Sequence, residues 1–222
     1  DLTRHERIFW LLLIMTEKTQ TTESFPDPEH WLDQLAPADA MAVMADDQSQ
    51  AARAVKAALG AMTAAAMAAY ERLDASTTGR LIYAGAGTSA RIGVQDGVEL
   101  TPTFSWPETR CAFMIAGGDA ALIRSVENAE DDSDDARHQT QHLNLGKDDV
   151  LIGLAASGTT PFTHAAITAA RAAGALTIGI ANNPATPILA AADHGILLHT
   201  GAESLAGSTR MKAGTAQKIE YT

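Results

Sequence analysis

The stretch Leu81–Gly93, LIYAGAGTSARIG, decides the fold. An apolar run through Tyr83 ends at Ala84, glycines follow at Gly85 and Gly87, and Thr88-Ser89 then open a segment with helical spacing at Ile92, Val94 and Val98. That order reads as strand, tight loop, helix. Glycine permits close approach of backbone to a ligand, and a helix N-terminus offers unpaired N–H groups with a partial positive charge, so the loop suits an anion such as phosphate.

Working outward, the same unit recurs. Cys111–Ile115 (CAFMI) reads as a second strand running into Gly117-Gly118, with Leu122, Ile123 and Val126 at helical spacing beyond it. Val150–Leu154 is a third strand, leading into Ala155-Ala156-Ser157-Gly158-Thr159-Thr160-Pro161 and a helix to Ala173 that stops at Gly174. Leu176–Ile180 and Gly195–Leu198 are the fourth and fifth strands, and Ser208–Thr222 is expected to be helical. Upstream, an alanine-rich helix is expected over Asp46–Leu73, capped from Asp46, Asp47 or Ser49, with a shorter one over Pro37–Met44 and one helical turn at His30–Leu35. Strands that are apolar throughout and alternate with helices imply a three-layer α/β sandwich around a five-stranded parallel sheet, preceded by a helical N-terminal segment. In such sheets ligands bind beyond the carboxyl ends of the strands, so the loops at Gly85–Ser89 and Ser157–Thr160 converge if they flank a switch point.

A chain of 222 residues holds one such domain plus an appendage, with residues 1–45 read as extension and arm and 46–222 as the domain. A net charge of −11 argues against nucleic acid or a membrane as partner, since both want a basic face. Cys111, the single cysteine, excludes an internal disulfide and fits the cytoplasm. Phe9–Met15 is apolar but too short to span a bilayer, and Met15 followed by Thr16-Glu17-Lys18 reads as a start, with residues 1–14 an upstream extension.

Gly85, Gly87 and Ala90 match G-x-G-x-x-A, which raises dinucleotide binding, but Asp119 lies too far on for a ribose-binding carboxylate, and a second hydroxyl-rich loop is surplus to that use. Paired hydroxyls at Thr88-Ser89 and Thr159-Thr160 suit a compact phosphomonoester instead. His138 and His142 share a helix face without a third ligand and read as surface residues, so no metal is assigned. Lys212, Lys218, Ser208 and Thr209 are further candidates to face an anion.

GAGTS and ASGTTP at strand ends resemble the sugar isomerase (SIS) phosphosugar-binding domain, which is flavodoxin-like. More narrowly, GRLIYAGAGTSARIGVQDGVELTPTF, IAGGDAALIRSVENAEDD and GSTRMKAGTAQK resemble the N-acetylmuramic acid 6-phosphate etherases. The sequence departs from that family's TSGRLG at Ala90 and Ile92, and from its SECPPTF around Val98–Phe104. The resemblance implies a homodimer with a helical region after AGTAQK that this chain does not contain, and cleavage of a D-lactyl ether to give N-acetylglucosamine 6-phosphate and D-lactate in cell-wall recycling. A non-catalytic phosphosugar regulator and an aldose–ketose isomerase are the alternatives on the same domain.

Breaking an unactivated ether at sugar C3 requires removal of the C2 proton beside the C1 aldehyde, elimination, and return of water at C3. The route needs a base, an acid and a fixed phosphate, and no cofactor. By resemblance, Glu99 is the proton donor and Glu130 the second acid/base residue, while Gly87, Thr88, Ser89, Ser157, Gly158, Thr159, Thr160, Ser208 and Lys212 bind the substrate. Glu99 is expected to be buried between Val98 and Leu100, which would raise its pKa. Glu130 heads the acidic run to Asp135, whose plain reading is a solvated helix face.

Overall fold

The computed structural model describes residues 21–25 and 31–221; the readings of Phe9–Met15 and of a start at Met15 lie outside them. Five parallel strands form one sheet: β1 Leu81–Gly85, β2 Cys111–Ile115, β3 Val150–Leu154, β4 Leu176–Ala181 and β5 His194–Leu197, in the order β2-β1-β3-β4-β5. The chain moves outward from β1 to β2, then returns to β3 on the other side of β1 and continues outward. The switch point therefore falls between β1 and β3, where Gly85 and Leu154 are register partners at the carboxyl ends.

The helices α1 Pro37–Asp74, α2 Gly87–Phe104, α3 Ser133–His142, α4 Pro161–Ala172, α5 Pro187–Ala191 and α6 Lys212–Tyr221 cover both faces. On one face Ile82, Met114 and Leu151 meet Phe162, Ile167 and Ala170 of α4 and Ile188 of α5. On the other, Val150, Leu154, Ile178 and Ile180 meet Ala51, Val55 and Ala58 of α1 and Ala216 of α6. Strand residues alternate between these cores because successive side chains point to opposite sides of a sheet.

Three expectations change. The two helices expected upstream are one: Pro37 sits in the first turn of α1, where its missing N–H costs nothing, and the helix runs for 38 residues through Gly60, with no proline inside to stop it. Leu122–Val126 is not helical. Only a short 3-10 turn forms at Asp119–Leu122, because the Arg91 guanidinium takes the carbonyls of Ala121, Leu122 and Arg124 that a helix would use, and Ile123 points to solvent. The last helix starts at Lys212 rather than Ser208. The buried Glu203 carboxylate accepts the N–H groups of Lys212 (3.1 Å) and Ala213 (3.0 Å), fixing the helix start there.

Candidate active site

β1 delivers the chain to Ala86, which is extended, and Gly87 then turns into α2 with φ +53°, a conformation glycine takes without penalty. The first intrahelical bond of α2 runs from the Ala90 N–H to the Ala86 carbonyl (3.2 Å), and no side chain caps the helix. The earlier amides, those of Gly87, Thr88 and Ser89, are the ones that α-helical bonding leaves over, and they stand at the switch point.

The second loop is built from its own polar atoms. The Gly158 N–H donates to the Ala155 carbonyl (3.0 Å), the Thr159 N–H donates to Ser157 Oγ (3.2 Å), and Ser157 Oγ lies 3.4 Å from Thr160 Oγ1. Gly158 takes φ +74° against Thr186. Between the loops lies a cleft of about 360 Å³, in the lower range for a small-molecule site. Gly87, Thr88 and Ser89 line one wall, Ser157, Thr159 and Thr160 the other, with Glu130, Asp131 and Thr209 around the rim. A second hollow of about 290 Å³ adjoins it, sharing Ala86, Gly87, Thr88 and Glu130 and adding Arg91 and Arg124.

Most of the expected site residues thus meet. Glu130 is not part of a uniform acidic face: the run divides, with Glu130 and Asp131 in a 3-10 turn at the cleft, while Asp132 caps α3 by accepting the N–H groups of Asp134 and Asp135. Ser89 contributes differently from expectation, because its hydroxyl donates to Gln217 Oε1 (2.9 Å), and Gln217 Nε2 donates to Asn182 Oδ1 (3.0 Å). Both Gln217 and Asn182 are fully buried, so these bonds tie the first loop to α6 and to the residue that follows β4, and commit the Ser89 hydroxyl to the protein.

Gly158 shapes the second loop without lining the cleft, and three further residues stand away from it. Glu99 is exposed, with Val98 beside it 53% exposed, so the expected burial is absent, and it lies about 18 Å along α2 from Gly87 at helical rise. Lys212 is 3% exposed and faces away from the cleft, its Nζ paired with Asp47 Oδ1 at 2.8 Å and near Gln50 Oε1 at 3.3 Å. The cap on its own amide turns its side chain toward α1, beside a separate cavity of about 610 Å³. Ser208 is outside the cleft lining, where its neighbour Thr209 takes the place expected of it.

Two participants were missed. Glu23, in a 3-10 turn at Thr21–Glu23, lines the cleft, and Asn183 fastens that turn to the second loop. Only the threonine pair before Glu23 marks the turn in the sequence, and nothing there links it to Asn183.

Comparison with known proteins matches residues 62–171 to the family model for the glucokinase regulatory protein N-terminal SIS domain and residues 124–219 to the SIS domain model. The N-acetylmuramic acid 6-phosphate etherase of Deinococcus radiodurans is 54% identical over 205 residues, covering 92% of this chain and 66% of that protein. Its Streptomyces avermitilis counterpart is 43% identical, over 91% of this chain and 64% of its own length. The chain belongs to the N-acetylmuramic acid 6-phosphate etherase family. It spans less than two thirds of the length of these etherases. Among solved structures, a phosphoheptose isomerase from Francisella tularensis superposes with a TM-score of 0.60 at 18% identity, over 84% of this chain and 93% of that one. The tagatose-6-phosphate ketose/aldose isomerase of Escherichia coli gives 0.52 at 17%, over 80% and 45%. At those identities the likeness establishes that this chain shares their fold.

Proposed function

We propose that the protein is a phosphosugar etherase, a carbon–oxygen lyase that cleaves the D-lactyl ether of N-acetylmuramic acid 6-phosphate to N-acetylglucosamine 6-phosphate and D-lactate. The observation that carries this reading is the convergence of both hydroxyl-bearing loops and Glu130 on one cleft at the switch point, in a chain 54% identical to an etherase. The phosphate takes the N–H groups of the Gly87–Ser89 turn and the hydroxyls of Ser157, Thr159 and Thr160, which hold the open-chain sugar by one end. Glu130 removes the C2 proton. The C3–O bond then breaks with its electron pair going to the lactate oxygen, which takes a proton from Glu99, and water adds across the double bond, its hydroxyl to C3 and a proton to C2.

Glu99 cannot share a cleft with Glu130 inside one copy when it lies some three turns along α2 and faces solvent. We assign it to a homodimer, in which this end of α2, with exposed Val98 and Phe104, meets the cleft of the other copy. Exposed Met41, Leu59, Met67 and Tyr70 along α1 are in keeping with a further apolar contact. The single cysteine fits a reducing compartment, and we place the protein in the cytoplasm. Among the described residues no helix is long and apolar enough to cross a membrane.

Incubation with N-acetylmuramic acid 6-phosphate and assay of D-lactate tests the proposal. Release is expected, and Glu130→Gln should abolish exchange of the C2 proton with solvent deuterium while phosphosugar binding survives. The absence of Glu99 from its own chain's cleft favours one second reading, a regulator that binds the phosphosugar without turnover. Binding with no lactate would establish that reading and reject the etherase.

A further inference from the structure

The geometry points to Glu23 as a substrate-binding carboxylate that reads the sugar rather than the phosphate, held at the cleft by a clasp between Thr22 and Asn183. This assignment rests on the phosphosugar reading of the same cleft and adds a specificity determinant to it.

The clasp is reciprocal. Thr21 Oγ1 donates to Asn183 Oδ1 (2.8 Å), the Thr22 N–H donates to the same oxygen (3.1 Å), and Asn183 Nδ2 donates to Thr22 Oγ1 (2.8 Å). Thr22 is fully enclosed and Asn183 is 2% exposed, so these bonds form away from water, where a missing partner is costly. Asn183 Nδ2 also reaches the carbonyls of Ala156 and Ser157, at 3.3 Å each. One buried amide therefore holds the second phosphate loop and the N-terminal arm in a common frame. Both hydroxyls of the Thr21-Thr22 pair are consumed in docking, and the next side chain, Glu23, is the one presented to the cleft.

On the far side, Glu23 Oε2 lies 3.0 Å from where a Cβ would stand on Gly207, which places the carboxylate against the segment that carries Thr209. Glu23, an exposed side chain, thus stands between the arm and that segment and lines the same cleft as the first loop. An ionised carboxylate only accepts hydrogen bonds and repels phosphate, so its counterpart on the ligand is a donor, a sugar hydroxyl or an amide N–H. A cleft that holds phosphate by amides and hydroxyls and also offers a carboxylate selects phosphosugars with donors along the chain over phosphate alone.

The test uses the intact protein, with steady-state release of D-lactate from N-acetylmuramic acid 6-phosphate and inorganic phosphate as competitive inhibitor. Glu23→Ala should raise KM at least tenfold, change kcat by less than about threefold, and leave the phosphate inhibition constant unchanged or lower, since a repelling charge is gone. Thr22→Val keeps the shape and loses the clasp hydroxyl, while the bonds from Asn183 to the Ala156 and Ser157 carbonyls can persist. It should raise KM in the same direction, and the double variant should be no worse than Glu23→Ala alone, because both act through one carboxylate. An unchanged KM in Glu23→Ala would overturn the assignment. So would a hundredfold loss of kcat at constant KM, which would make Glu23 an acid or base, or a matching rise in the phosphate constant, which would mean a collapsed site. If the unaltered protein releases no lactate the etherase reading fails by itself, and the same comparison is then made by equilibrium binding of the phosphosugar against inorganic phosphate in the same variants.

Discussion

Gly158→Ala tests whether the second loop is held by space as well as by hydrogen bonds. The residue sits at φ +74°, and a Cβ built on it would lie 2.4 Å from Thr186 Oγ1 and 2.5 Å from both Thr186 Cβ and Cγ2. Left-handed backbone costs a non-glycine residue about 1 kcal/mol, and forcing a methyl into a closed site adds about 1–3 kcal/mol, so a loss of about 2–4 kcal/mol is expected. Thr186 cannot swing aside cheaply, since it is 4% exposed and its hydroxyl is enclosed without a partner. The loop cannot give freely either, with the Gly158 N–H bonded to the Ala155 carbonyl and the Ile188 N–H to the Gly158 carbonyl. Equilibrium urea unfolding measures the loss, and phosphosugar titration should show weaker binding, because Ser157 and Thr159 flank the displaced residue. Thr186→Gly removes all three obstructing atoms. Compared with Thr186→Gly alone, the double variant should therefore lose only the backbone part, a coupling of at least about 1 kcal/mol. A coupling near zero, or a single variant within about 0.5 kcal/mol of the unaltered protein, would refute the steric reasoning.

Ser157→Ala should weaken phosphosugar binding at least about tenfold by calorimetry, and unchanged affinity would put the phosphate elsewhere. Asp149 is 5% exposed and accepts hydrogen bonds from the Arg80 N–H, Nε and Nη2 and from the Gly146 N–H. Burial pushes its pKa up, but the Arg80 side chain and these amides outweigh it and hold the carboxyl below its ordinary value. Its stabilisation is thus complete above the unfolded carboxylate range and is lost as pH falls through the lower folded value, so Asp149→Asn should cost about 3 kcal/mol at pH 7 and flatten the acid limb of a stability–pH curve. Glu220 behaves oppositely: burial first, then the nearby Asp96 charge, push its pKa from 4.5 to about 8, and one carboxylate oxygen is enclosed without a partner. A carboxyl raised in this way lowers stability as pH climbs between those values, and Glu220→Gln should recover on the order of 3 kcal/mol at pH 8 by thermal or urea unfolding, with no gain at pH 4.

The sheet and the two glycine- and hydroxyl-bearing loops at its carboxyl ends were legible in the sequence because they depend on neighbours in the chain. Continuous apolar runs such as Val150–Leu154 specify strands buried on both sides, and glycine followed by hydroxyl residues specifies the turn into a helix, whatever lies beyond. Where sequence-based expectation failed locally, a distant group had intervened: Arg91 took the carbonyls of a would-be helix near Leu122, and Glu203 moved the start of the last helix to Lys212. The composition of the cleft belongs to tertiary structure altogether. Glu130 and Asp132 are two residues apart in one acidic run, yet the first lines the cleft and the second caps a helix, because the turn at Ala129–Asp131 points them differently. Glu99 stands some three turns along α2 from the first loop and faces solvent, a placement set by the length and rotation of the helix and not by its flanking residues. Glu23 enters the site through a bond between residues 22 and 183, and a contact across some 160 positions leaves no trace in the local spacing that sequence reading relies on.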